Sequence, residues 1–258
     1  MDIKFNETVP HPLNPPVYND IMWILLFLFT AAILIWRHRG RTELNNTALI
    51  FLGSWSIFWQ EYYNNWGGYL LYSPDLNLLP WGSTWWTSPN KPFFLIFSYP
   101  VFFTLFYSAL VYVNRWIKRL LPGAPLLLIA LTVDGPAFWL WNYFVDKSSV
   151  ENGIWNYVVT WGPTQLTSNG GHEPLVWPMI PFSIFGAVVA YYLSKLDENG
   201  HPTYIRLGHP ERVPPGPRRE LRRVLTAVIW WNAMYWFAFT VPLNLVREFF
   251  LPASQMVP

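Results

Sequence analysis

Residues 124–145 read APLLLIALTVDGPAFWLWNYFV, a run long and apolar enough to cross a bilayer except for one carboxylate, Asp134, near its middle. An Asp at the centre of a membrane helix costs about 2.5–3.5 kcal/mol on insertion scales, so it turns to a bundle interior or a wet cavity and by default marks a functional site. Gly135 and Pro136 follow it. Pro136 has no amide hydrogen and crowds the preceding turn, which predicts a kink beside the acid. The plainer reading of Asp134 is a hydrogen-bond link between helices.

The rest of the chain agrees with a membrane setting. Charged residues are 12% and hydrophobic residues 52% of the 258, against about 25% charged in an ordinary soluble domain. Seventeen Trp exceed what interfacial belts alone require, so some rings are expected to line an interior cavity. The absence of cysteine excludes disulfides, thiolate metal sites and cysteine nucleophiles.

Outward from residues 124–145, further apolar runs predict spans over about 21–37, 47–63, 92–113, 176–194 and 224–246. The fold class expected is an all-α polytopic bundle of about six transmembrane helices. Residues 1–20, with His11-Pro12-Leu13-Asn14-Pro15-Pro16, read as an extended arm, 21–250 as one transmembrane domain and 251–258 as a tail. Arg37-His38-Arg39-Gly40-Arg41 after the first run, in place of a cleavage site, makes that run a retained anchor. The span at 47–63 is the weakest, because it ends in Gln60 and Glu61. Loop charges support it: the loops after spans 1, 3 and 5 hold thirteen of the seventeen Lys and Arg, and the other four are Lys4, Lys91, Lys147 and Arg247. That alternation predicts both termini outside. The basic loop 195–223 is expected to lie against anionic headgroups.

The outer loops 64–91 and 146–174 are rich in Trp, Tyr, Asn and Gly, a composition that suits a binding-site cover or an interfacial cap. Glu61 and Asn65 are four apart and share a helix face. Asn142 lies eight residues past Asp134, a little over two turns, so Asp134, Asn142, Glu61 and Asn65 are expected around one outward cavity. His172-Glu173 enter the same layer, although such a loop pair is more often surface. Asn232, deep in the last span, is either interhelical glue or cavity lining. No phosphate loop, zinc helix or nucleophile elbow is present. The five His are scattered, so no metal is expected. Two carboxylates among aromatics and amides suit acid–base chemistry on an apolar substrate, with aromatic faces stabilising a developing cation. The same set would serve a proton relay, which the lack of internal repeats makes the weaker reading.

The order of motifs resembles the spirocyclase AveC-like family of integral membrane proteins. The matching elements are Gln60-Glu61 with Asn65, Tyr72, Asn77, Gly82-Ser83, Ser88-Pro89-Asn90, Asp134, Gly153-Ile154-Trp155-Asn156-Tyr157, Asp197 to Gly200, Arg218 to Arg223 and Val241-Pro242. The chain departs from the family where it has Gln60-Glu61 in place of Gln-Asp, and where aromatics and Asn142 stand in place of a second acid after Asp134. The resemblance implies a membrane-embedded cyclase that closes rings such as spiroketals on polyketide- or terpenoid-like substrates. Read from this chain's own residues, the catalytic pair expected is Asp134 as acid and Glu61 as base, with Asn65, Asn142, Trp155, Tyr157, His172, Glu173 and Asn232 binding substrate. Such chemistry is redox-neutral, and no cofactor is expected.

The partners expected are a hydrophobic small molecule, membrane lipids, and a membrane-protein partner or second copy, with no nucleic acid. The location expected is an integral membrane one, the cell membrane in a bacterium or the endoplasmic reticulum in a fungus. Two other readings remain: a small membrane terpene cyclase protonating an olefin or epoxide, which Leu131-Thr132-Val133-Asp134-Gly135 resembles, and a non-catalytic lipid-binding or membrane-complex subunit.

Overall fold

The structure, a computed structural model, describes residues 3–6, 8–82, 84–198 and 201–258. Ser83, Asn199 and Gly200, quoted above for the family resemblance, lie outside the described residues. The chain is mostly helical, and the helices follow the apolar runs with instructive shifts.

Helix α1 spans Pro16–His38 and starts ahead of residue 21, because Pro15 sits at the N-cap and Pro16 at the first position, where its missing N–H is no loss. The expected span at 47–63 is not one helix. Helix α2 (Asn46–Trp55), capped by the Asn45 side chain accepting from the Ala48 amide at 2.9 Å, gives way to a 3₁₀ turn at Phe58–Gln60 and then helix α3 (Glu61–Gly68). The break has a local cause: the Ser54 and Ser56 hydroxyls donate back to the Ile50 and Gly53 carbonyls at 2.7 and 2.6 Å, in competition with the helix ladder. Helix α4 covers Leu95–Leu120.

The stretch 124–145 forms α5 (Leu126–Ile129), a π turn (Ala130–Asp134) and α6 (Gly135–Glu151). The expected disturbance at Pro136 is thus a widened turn inside a continuing helix. The same device recurs later. Helix α7 (Met179–Ser194) is followed by α8 (Pro217–Tyr235), a π turn (Trp236–Thr240) and α9 (Val241–Phe250), with Pro242 two residues past the turn as Pro136 is past the first. A π turn absorbs the donor that proline lacks and relieves its clash with the preceding carbonyl.

Among the described residues, three helices are long and apolar enough to cross a membrane: Pro16–His38, Leu95–Leu120 and the composite Pro217–Phe250. Helix α1 exposes Ile21, Leu25, Phe29, Ile35 and Trp36, a flank suited to hydrocarbon rather than water.

The all-α expectation needs one amendment. Among the described residues, the outer loops and the N-terminal arm contain three two-stranded antiparallel ribbons: β1 (Ile3–Phe5) with β4 (Val159–Trp161), β2 (Leu70–Tyr72) with β3 (Trp155–Tyr157), and β5 (Thr164–Leu166) with β6 (His172–Pro174). The aromatic and β-branched residues of these loops favour pleated pairing. The arm is tied down by this pairing and by the Asn6 amide bonding the Val158 carbonyl at 2.8 Å. Ribbon β2–β3 pairs Leu70 with Tyr157 and Tyr72 with Trp155, and so brings the two outer loops together.

Glycine allows close helix approaches at Gly53 and Gly186, as it does at Gly67 of α3 against Asn244 of α9. A Cβ on Gly53 would lie 2.0 Å from Cδ1 of the fully buried Trp231, and one on Gly186 would lie 2.3 Å from the Phe138 ring. Gly53→Ala is therefore expected to destabilise by about 1–3 kcal/mol through overpacking. Thermal denaturation in detergent checks this against Gly123→Ala, where nothing lies within 4 Å and no change is expected.

Candidate functional site

At the end of the bundle that carries the ribbons, a cavity of about 720 Å³ opens among the start of α1, α3, the start of α4, α6, ribbon β2–β3 and the helix running through α8 and α9. That volume lies within the range of small-molecule sites. Its lining is mainly aromatic and aliphatic, and Tyr18, Met22, Leu26, Leu105, Trp141 and Phe144 among its residues are also exposed on the flank of the bundle. The cavity therefore opens sideways onto an apolar surface.

Two carboxylates enter it. Glu61, the first residue of α3, accepts from the Tyr72 hydroxyl at 3.0 Å, from the Tyr99 hydroxyl and from the Tyr235 hydroxyl at 3.5 Å. The Tyr99 and Tyr235 hydroxyls are 2.6 Å apart, which completes a continuous hydroxyl chain from α8 to Glu61. Asp146, in α6, accepts from the Asn142 amide at 2.8 Å and from the Tyr157 hydroxyl at 2.8 Å. The two carboxylates are close enough to feel each other's charge. Trp155 lines the same wall, its ring edge-on to Tyr72 with centroids 5.4 Å apart, and its buried Nε1–H has no partner in the protein. Buried donors are nearly always satisfied, so this N–H is available to an oxygen of a bound molecule.

Of the residues named from sequence, Glu61, Asn65, Asn142, Trp155 and Tyr157 line this one cavity. Asp134 does not. It is fully buried where α4, the first π turn and α7 meet, and its Oδ2 accepts from the Asn114 amide at 2.7 Å, which also bonds the Ser194 hydroxyl at 2.9 Å. Asn114 lies fifteen residues beyond Tyr99 on the same helix, about 22 Å at 1.5 Å per residue, so Asp134 and Glu61 belong to different parts of the molecule. The grouping on one face fails for a geometric reason. Eight residues of α-helix exceed two turns by about 80°, so Asp134 points to α4 and α7 while Asn142 points to the cavity.

Asn232 is interhelical glue. It accepts from Gln60 at 3.0 Å and Trp59 at 3.2 Å and donates to Ser56 at 2.7 Å, clamping α8 to the turn ahead of Glu61. His172 is half-buried in ribbon β5–β6, where its amide bonds the Asn156 side chain at 3.3 Å. Burial and the nearby Lys4 hold its imidazole below the usual histidine range.

Glu173 is fully buried behind the cavity wall, and neither oxygen has a hydrogen-bond partner in the protein. Burial first, and then the charge of Asp146, hold its carboxyl well above the usual carboxylate range. The folded state therefore keeps a proton that the unfolded chain has lost, so stability falls as pH rises from the ordinary carboxylate range past neutrality. Glu173→Gln is expected to remove that slope and to raise the thermal midpoint on the order of 3 °C at pH 8, with little change at pH 4. A pH series of denaturation curves checks it.

Sequence reasoning missed Asp146, Tyr99 and Tyr235. Asp146 was read as the first residue of an outer loop, yet its spacing of four from Asn142 puts both on one helix face. Tyr99 and Tyr235 were hydroxyl-bearing residues in otherwise apolar runs, a weak signal among so many aromatics.

Among the described residues, no group of three or more His, Asp or Glu is placed to hold a metal ion. Comparison with protein-family models, curated proteins and solved structures gives no match.

Proposed function

We propose that this chain is an integral membrane acid–base catalyst that cyclises an apolar, oxygen-bearing substrate, with spiroketal formation as the reaction its site suits best. The observation that carries this reading is the pair Glu61 and Asp146 facing one cavity that opens onto the apolar flank. Two like charges in an apolar cavity repel, so the pair is best served by a single proton, the arrangement that gives one acid and one base. Three tyrosine hydroxyls donate to Glu61, against one tyrosine hydroxyl and one amide to Asp146, so the shared charge is assigned to Glu61 as the base. Asp146 takes the acid role that the sequence had suggested for Asp134.

The chemistry balances without a redox partner. Asp146 protonates the hydroxyl of a cyclic hemiketal, water leaves, and an oxocarbenium ion forms beside Trp155 and Tyr72. A second hydroxyl of the substrate attacks the cationic carbon and Glu61 accepts its proton. The Trp155 N–H holds a substrate oxygen. Aromatic faces stabilise the cation, and restricted water access favours ring closure over hydrolysis.

In this reading six segments cross or enter the bilayer with both termini outside, and the substrate arrives sideways from the lipid past Met22, Leu26 and Phe144. A membrane terpene cyclase would use the same acid. The buried N–H and the amides of Asn65 and Asn142 favour an oxygenated substrate over a hydrocarbon.

Extraction of the purified protein followed by mass spectrometry tests the proposal. The expected result is an apolar molecule with hydroxyl and carbonyl or ketal groups. Recovery of bulk phospholipid alone, with an unchanged metabolite profile when the chain is deleted, would contradict it.

A further inference from the structure

A second cavity, of about 580 Å³, lies at the opposite end of the bundle, among the last turn of α1, the first turn of α2, the later part of α4, residues 201–202 and Arg223 of α8. Its lining carries four arginines, Arg37, Arg41, Arg115 and Arg223, with His201 and a single acid, Glu43. That acid is already occupied. Glu43 pairs with Arg223 at 3.4 Å, His201 at 3.4 Å and Arg219 at 3.7 Å. Arg223 is itself buried and fixed, donating to Glu220 at 2.8 Å and to the Leu44 carbonyl at 3.1 Å.

Arg37, Arg41 and Arg115 form no ion pair among the described residues, and all three are exposed around the same opening. The buried Ser108 hydroxyl on the cavity wall has no partner. The first amides of α2 point to this end, adding the positive pole of a helix. Next to these polar groups the cavity is lined by Leu44, Ile50, Val111 and Tyr112, with Tyr112 exposed at its mouth.

From these observations we infer that this cavity is a binding site for a phosphate-bearing group, held by Arg37, Arg41 and Arg115 and the Ser108 hydroxyl. Planar guanidinium groups match phosphate oxygens in pairs, and three of them around one opening whose lining acid is already paired leave positive charge for an anion to compensate. The adjoining apolar strip fits the first carbons of an acyl chain, so the phosphate belongs to an anionic phospholipid headgroup or to a soluble phosphate ester. The site rests on the membrane reading only for its depth, at headgroup level, and it is separate from the catalytic cavity.

The test uses the full chain stripped of lipid in a neutral detergent and titrated with short-chain phosphatidylglycerol or phosphatidylcholine, read by native mass spectrometry. Wild-type protein is expected to bind phosphatidylglycerol at least about tenfold more tightly. The variant R37A/R41A/R115A should lose that preference, while R37K/R41K/R115K keeps only part of it, because an ammonium holds the charge but not the paired geometry. Should the triple alanine variant fail to fold, Arg115→Gln alone should reduce the ratio severalfold. Displacement by glycerol phosphate assigns the site to the headgroup chemistry alone, and failure to displace assigns it to the lipid. Equal binding of the two lipids by the wild type, or an alanine variant that keeps the full preference, would overturn the inference. The ligand of the catalytic cavity should be retained in every variant, which separates this result from the cyclase proposal.

Discussion

Replacing Glu61 by Gln is expected to lower ring closure by about 10²–10⁴-fold, the contribution typical of a positioned general base, with the fold intact. The substitution keeps the volume and one hydrogen-bond acceptor. The carbonyl of the amide can still accept from Tyr72 or Tyr99, so the hydroxyl chain from Tyr235 loses little of its geometry. What disappears is the capacity to take the proton from the attacking hydroxyl. The double variant E61Q/D146N should be little worse than either single one, because an acid and a base that share one turnover act as a unit and their losses do not add. The readout is the ratio of open-chain to cyclised product by mass spectrometry, with circular dichroism confirming the helices. A double variant that loses the product of the two single losses would show that the residues act independently.

The second large effect falls on stability. Arg247→Ala is expected to destabilise by about 2–4 kcal/mol, as leaving two buried carbonyls without donors does. Arg247 of α9 is buried, donates to the Trp66 and Val257 carbonyls, and lies over the Trp66 and Tyr69 rings at 3.9 and 4.1 Å. Truncation would leave two carbonyls without donors and open the space between two aromatic rings. The same clamp holds α3, and α3 begins with Glu61, so a loosened clamp should also blunt turnover. Arg247→Lys should recover only part of the loss, since an ammonium cannot reach two carbonyls and stack at once. Thermal denaturation of the three proteins, followed by tryptophan fluorescence, reads the order wild type, lysine variant, alanine variant.

The helical segments were legible because apolar runs declare themselves without tertiary information. Residues 92–113 lie within α4 apart from its first turn, and 176–194 end where α7 ends. What the runs concealed was breakage. The hydroxyls of Ser54 and Ser56 divide α2 from α3, and the two π turns ahead of Pro136 and Pro242 rotate the faces that follow. Asp134 and Asn142 part for a simpler reason, since the eight residues of regular helix between them overshoot two turns by about 80°.

The candidate site was legible in part. Glu61, Asn65, Asn142, Trp155 and Tyr157 came from one helix end, one helix face and one aromatic loop, and folding gathers them in one cavity. Asp146 escaped notice because it stands where the apolar run stops, although the helix itself continues to Glu151. Asp134 stood out for the opposite reason. A carboxylate in an apolar run is conspicuous whether it reacts or, as its bond to Asn114 indicates, ties helices together.

That contrast sets the decisive comparison. Asp146→Asn and Asp134→Asn, each assayed for cyclised product per mole of folded protein, separate the cavity carboxylate from the buried link. The account predicts a loss of about 10²–10⁴-fold for Asp146→Asn and less than about tenfold for Asp134→Asn, whose amide can still bond Asn114 through its own carbonyl. A large loss for Asp134→Asn with full activity in Asp146→Asn would contradict it.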